Sequence, residues 1–168
     1  MSRPRILLTG FGPFPGAPRN PTAALVARLA RTRRPALADV TIVHHVFEVA
    51  YAAIDRDLPM LIRRHRPDAI LMFGLATRTP FLRVETRARD TVTGLWPDIS
   101  GARGGGRRIV EGGPATLCFG AHVGRLWRAA LAAGADARLS RDAGRYLCNY
   151  LSFRALVAAR AADGPRLV

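Results

Sequence analysis

The sequence predicts an α/β fold: a single-domain, three-layer α/β/α arrangement around a mostly parallel central sheet. Three observations predict it. Short apolar runs of strand length alternate with longer stretches of helical spacing, the pattern of βαβ units. Most of the apolar runs are continuous rather than alternating, as strands covered on both faces of a parallel sheet read. The length of 168 residues suits one domain with a substantial core, so residues 1–168 are read as one domain.

The elements follow in order. Arg5 to Thr9 (RILLT) is a short apolar strand that runs into a Gly/Pro loop, Gly10 to Pro18. Pro21 to Arg34 has helical apolar spacing at Ala24, Leu25, Leu29 and Ala30, with Asn20 as N-cap and Pro21 at the first helical position. Val40 to Val46 is a second strand, rich in β-branched residues. Tyr51 to Arg66 is an amphipathic helix carrying Ile54, Leu58, Leu61 and Ile62 on one side, with Pro59 as a point of bending. Asp68 to Phe73 (DAILMF) is a third strand that ends at Gly74.

Phe81 to Ala88 alternates, with Leu82, Val84, Thr86 and Ala88 on one face and Arg83, Glu85, Arg87 and Arg89 on the other. Asp90 to Thr116 is rich in glycine and reads as a long loop or hairpin of the kind that is functional or mobile. His122 to Ala133 is helical, Ala135 to Leu139 a short strand and Ala143 to Arg160 the last helix. Arg166-Leu167-Val168 resembles the opening of another strand, cut short.

Composition narrows the function classes. No apolar run approaches the roughly 20 residues of a membrane span, and Ile6-Leu7-Leu8 is too short for a secretory signal, so a cytoplasmic protein is expected. The net charge of +14 invites a nucleic-acid reading. All 26 basic residues are arginine, however, and they are scattered among Ala, Gly and Pro. A coding bias toward Ala and Arg explains that pattern equally well. Short blocks such as Arg31-Thr32-Arg33-Arg34 lack interleaved aromatics, so solvated surface is preferred over nucleic-acid contact. The two cysteines lie 30 positions apart and offer neither a disulfide framework nor C-x-x-C metal spacing. A reducing compartment is expected, and Cys118 reads as a small buried apolar residue.

Three segments carry candidate chemistry, and in open α/β sheets the chemistry gathers at the carboxyl ends of strands. Gly10-Phe11-Gly12-Pro13-Phe14-Pro15-Gly16 is not G-x-G-x-x-G, and its prolines remove N–H donors that a phosphate cradle needs. Phe11 and Phe14 suit an apolar pocket for a small flat group, or else fill core. Glu85 is either a surface carboxylate in a cross-strand charge ladder or the orienting acid of a catalytic histidine. Cys148 is either a buried helix cysteine or a nucleophile. Gly144 just ahead of it, Asp142 as a helix N-cap and the positive end of the helix dipole favour the second.

Taken together, these segments resemble the pyroglutamyl peptidase I (pyrrolidone-carboxylate peptidase) family of cysteine peptidases. Thr9-Gly10-Phe11-Gly12-Pro13-Phe14 through Asn20-Pro21-Thr22 is similar to its T-G-F-x-P-F-x-G … N-P-[ST] loop, Gly74-Leu75-Ala76 with Glu85 to its G-Q-A … E segment, and Ser140 to Asn149 to its S-x-x-A-G-x-Y-x-C-N. The resemblance implies Cys148 as nucleophile, Glu85 as the acid that orients a histidine base, Phe11 and Phe14 around the lactam ring and Asn20 shaping the pocket loop. The implied substrates are peptides with an N-terminal pyroglutamyl residue. No metal or organic cofactor is implied, and a homo-oligomer is plausible from the likeness.

Departures accompany the match. Leu75 stands where the family pattern has Gln, and Thr77-Arg78-Thr79 replaces its G-G-R. The family's histidine follows the strand after the nucleophile helix, in an F-x-H-x-P segment. Arg166-Leu167-Val168 resembles the run-in to it, so the chain is expected to be truncated before that segment. None of His44, His45, His65 and His122 takes that position, and each is read as structural. Three functions remain, in this order: a pyroglutamyl-type cysteine peptidase, a relative without its histidine that binds small acyl or lactam-ended ligands, and a basic nucleic-acid-associated protein.

Overall fold

The computed structural model describes residues 3–168. Its centre is β1 (Arg5–Phe11), flanked by β2 (Thr41–Phe47) and β3 (Ala69–Met72) in the order β2-β1-β3, both pairings parallel. Leu7 pairs with Val43 on one side and Ile70 on the other, and it is fully buried. As expected of this alternation, helices separate the strands: α1 (Pro21–Arg31) joins β1 to β2, and α2 (Tyr51–His65) joins β2 to β3. Strand β1 runs two residues beyond the expected Thr9, because Gly10 and Phe11 keep register with Val46 and Phe47.

Helix α1 begins as the sequence predicts. The Asn20 side chain accepts the Thr22 N–H at 3.1 Å and Pro21 opens the first turn. Helix α2 buries Ile54, Leu58 and Leu61 and continues through Pro59. No side chain next to it caps its N-terminus. The cap comes from 47 residues away, where Asp98 Oδ2 accepts the Tyr51 N–H at 2.9 Å.

The alternating segment after residue 80 is two strands, not one. β4 (Leu82–Glu85) pairs in parallel with β7 (Ala137–Ser140), and β5 (Arg87–Arg89) pairs antiparallel with β6 (Thr116–Cys118). The change of partner falls at Thr86, which bonds backward to Ser140 O and forward through its carbonyl to Phe119 N. The alternation of faces holds only in part: Val84 and Ala88 are buried, but Leu82 is exposed, and Thr86 is half-buried like Arg83, Glu85, Arg87 and Arg89. The parallel pairings dominate, as the mostly parallel expectation requires.

Helix α3 (His122–Ala132) is tied to β7 by Trp127 Nε1, which donates to Ala137 O at 2.9 Å. Helix α4 (Leu147–Ala158) is buried nearly all round through Leu147, Leu151, Phe153 and Ala155. Beyond it, Leu167 forms a parallel bridge with Ala69, so the extended segment expected at the end of the sequence adds to β3. Among the described residues, no helix is long and apolar enough to cross a membrane.

The loop between β5 and β6 is held by two carboxylates. Asp90, whose side chain is fully buried, accepts the N–H groups of Ile109 and Val110 and the Arg108 guanidinium at 2.6 to 2.9 Å. Asp98 gathers Tyr51 N, Ser100 N, Ser100 Oγ and Ala102 N. Burial alone would raise both pKa values, but these donors outweigh it and hold both carboxyls below their ordinary value. Each therefore stabilises the fold fully above the ordinary carboxylate pKa of about 3.9, and that contribution is lost as pH falls through the depressed values. Urea denaturation should show stability falling below about pH 4. Asp90→Asn is expected to remove about 1–3 kcal/mol at pH 7 and flatten the acid limb.

Candidate active site

Cys148 is the second residue of α4, nearer the helix start than a helix from Ala143 would put it. The preceding turn explains the shift. Gly144 adopts φ +79°, a left-handed conformation suited to glycine. Asp142 Oδ1 accepts the Gly144 N–H at 3.1 Å and so shapes this turn. The expectation that Asp142 caps the helix is corrected: the N-cap is Tyr146, whose side chain makes no capping bond.

Asn149 then fixes the helix. Its Oδ1 accepts Arg89 N at 2.8 Å, and its Nδ2 donates to the carbonyls of Arg89 and Thr91 at 2.8 and 3.0 Å. With α4 pinned to β5, the Cys148 thiol comes up against Gly74, just past the end of β3. A Cβ added at Gly74 would lie 2.7 Å from Cys148 Sγ. Only a residue without a side chain leaves the sulfur that room.

Glu85 ends β4 directly opposite Ser140, in the register Glu85↔Ser140. One oxygen, Oε1, sits 3.0 Å from Arg83 Nη2. The other, Oε2, is buried and has no hydrogen-bond partner among the described residues. Glu85 thus pairs with a cation on its own strand, not across strands, with one acceptor left over in a dry position. Burial pushes the Cys148 thiol up to about 11, the Glu85 charge adds to this, and Arg83 opposes it. The expected lowering by the helix dipole is therefore overridden by desolvation.

The N-terminal loop divides its residues between core and site. Phe11 is buried in the core and packs on Phe47 with ring centroids 6.1 Å apart. Phe14 is only partly buried and sits in a small turn closed by Phe14↔Ala17. Asn20 is buried; its Nδ2 donates to Gly12 O and its Oδ1 accepts from Thr22 N and Thr22 Oγ1. Its amide is spent on the loop's own hydrogen bonds.

Cys118 departs from expectation. It is exposed, because Leu117 takes the inward position of β6 and the next residue must face out. His44 and His45 lie inside β2. His45 Nε2 is 3.3 Å from Asp57 Oδ2 but outside hydrogen-bonding geometry, and its ring packs on Phe47. His65 ends α2, and His122 Nε2 lies 2.8 Å from Val168 O. Among the described residues, no group of three or more His, Cys, Asp or Glu could hold a metal ion.

The sequence profile of the pyroglutamyl peptidases matches residues 4–166. The chain belongs to the pyroglutamyl peptidase family. It is 31% identical over 152 residues to a pyrrolidone-carboxylate peptidase of Thermococcus kodakarensis, covering 90% of this chain and 72% of that one. It is likewise 31% identical to one of Gloeobacter violaceus over 146 residues, 87% of this chain and 70% of the relative. Among solved structures, the pyroglutamyl peptidase I of Bacillus amyloliquefaciens superposes with TM-score 0.85 at 28% identity, covering 95% of this chain and 76% of that one. The pyrrolidone carboxyl peptidase of Thermococcus litoralis gives TM-score 0.90 at 25% identity, over 98% and 73%.

Within this pyroglutamyl peptidase fold, three residues matter to the site that the sequence reading gave no role: Gly74, Arg83 and Asn149. Gly74 and Asn149 were visible as motif letters, but their reason is a close approach between segments far apart in the chain. Two results are expected. Alkylation of Cys148 should accelerate about tenfold per pH unit up to its pKa near 11, since the thiolate is the reactive form. Gly74→Ala should displace the sulfur and change that rate while the melting temperature shifts by only a few degrees, measured by mass spectrometry of the modified peptide.

Proposed function

We propose that this protein is a cysteine peptidase that removes N-terminal pyroglutamyl residues from peptides, with Cys148 as nucleophile and Glu85 as the carboxylate that orients the base. Family membership supports the reaction class. The single observation that carries the residue assignment is the Cys148 thiol held against Gly74 in the field of Glu85, whose Oε2 is buried and free to accept.

In this reading an imidazole takes the Cys148 proton, and the sulfur attacks the pyroglutamyl carbonyl carbon. The carbon–nitrogen bond breaks, the imidazolium returns the proton to the leaving amine, and water hydrolyses the thioester to free pyroglutamate. Glu85 Oε2 receives the imidazole's other N–H and stabilises the imidazolium. N–H groups of the first turn of α4, which lack intrahelical acceptors, stabilise the oxyanion. The high thiol pKa makes such a base necessary, since few thiolates exist near neutrality without it. Phe14 faces the lactam ring, with Phe11 backing it from the core, and Asn20 keeps the loop in shape.

We assign the base to none of His44, His45, His65 and His122: the first two lie on β2, His65 ends α2, and His122 Nε2 lies 2.8 Å from Val168 O.

Hydrolysis of a chromogenic pyroglutamyl amide tests the proposal. Cys148→Ala is expected to abolish it, and Glu85→Gln to reduce it by up to about 10⁴-fold, the scale of losing the orienting carboxylate in a triad. Turnover equal in the protein and its Cys148→Ala variant, with imidazole supplied as an external base, would sink the assignment.

A further inference from the structure

Arg83 is the charged residue nearest Glu85 in sequence on the same strand face, two positions before it on β4. Its guanidinium does two things at once. Nη2 lies 3.0 Å from Glu85 Oε1, and Nε and Nη2 donate to Ser140 Oγ at 3.3 and 2.8 Å. Ser140 Oγ in turn accepts the Asp142 N–H at 3.2 Å, at the start of the turn that carries Gly144 and leads to Cys148. A continuous set of contacts therefore runs from the carboxylate, through Arg83 and Ser140, to the backbone ahead of the nucleophile.

We propose that Arg83 is a positioning residue of this site. It occupies one oxygen of Glu85, leaves Oε2 as the only oxygen open to a base, and ties that carboxylate to the loop presenting Cys148. This rests on the reading of Cys148 and Glu85 given above. A fork-shaped cation suits the task, because one guanidinium can face a carboxylate and a hydroxyl together in fixed geometry. Arg83 is only half-buried, with 27% of its side chain exposed against 23% for Glu85. The pair is thus shielded enough to act on a neighbour without being sealed from solvent.

The positive charge has a second effect. The groups acting on the Cys148 sulfur are Glu85 and Arg83 from β4 and its own backbone N–H, and Tyr146 from the preceding turn shares its surroundings. Glu85 by itself works against the thiolate that the chemistry needs. Arg83 offsets that repulsion while holding the carboxylate in place.

The test is the pH profile of Cys148 alkylation by iodoacetamide, which needs no peptidase turnover. It is read by mass spectrometry in a Cys118→Ser background, because Cys118 is exposed and free. Arg83→Met is expected to displace the profile to higher pH, slowing alkylation at pH 8 by about threefold or more, equivalent to about half a pKa unit. Arg83→Lys should recover at least half of that loss, because it keeps the charge. Ser140→Ala, which spares the ion pair, should shift the profile less than Arg83→Met, and Arg83→Gln, which also removes the charge, takes the methionine variant's place where that one does not fold. A methionine profile that superimposes on the parent overturns the proposal. So does a lysine profile as displaced as the methionine one, or a Ser140→Ala shift as large as Arg83→Met. Loss of the peptidase reading shows up separately, as pyroglutamyl amide turnover that survives Cys148→Ala.

Discussion

The amide of Asn149 is the contact on which the site depends. It satisfies both the N–H and the C=O of Arg89 and reaches Thr91 as well. One side chain thereby joins a buried helix to a three-residue strand whose ladder partner among the described residues is β6. A buried amide with every bond made is stiff, and the cost of leaving any of these backbone groups unpaired fixes the rotation of α4 about its axis. That rotation decides where Cys148 points. The closeness of Gly74 to the sulfur then follows, as does the thiol's burial.

The same packing sets the electrostatics. A thiol enclosed by α4 and the end of β3 is desolvated, and desolvation outweighs the favourable field of the helix start. The site therefore starts from a protonated, unreactive sulfur. Its reactivity has to come from groups brought to it, which is why the unpaired oxygen of Glu85 and the cation beside it matter more than the helix dipole does.

Much of the fold was legible in sequence because its signals are local. The apolar runs at Arg5 and Asp68, the Asn20-Pro21 cap and the amphipathic face of α2 each lie within one element, and all appear where the spacing puts them. The motif around Cys148 was legible for a different reason: its residues are consecutive in the chain. What could not be read depends on distant partners. The break at Thr86 exists because Ser140 and Phe119 arrive from elsewhere to claim its backbone. Cys118 faces outward because β6, hidden in a glycine-rich stretch, pairs with β5 and turns Leu117 to the core. Arg83 looked like one of many arginines, and only the register of β4 on β7 reveals that its neighbour is Ser140.

The cap on α2 carries a consequence for the order of folding. Tyr51 opens that helix, yet the carboxylate that closes its first turn belongs to Asp98, in a loop translated much later. Bringing the two together closes a long loop, an entropic cost that grows with the logarithm of its length. On a ribosome, α2 emerges with a frayed start and waits for its cap. The β1–β2 pairing (Arg5↔Thr41) closes a shorter stretch of chain than this cap does, whereas the β1–β3 pairing (Ile6↔Ala69) closes a longer one. The start of α2 is thus a joint between two distant parts of the chain, complete only when the loop carrying Asp98 is in place.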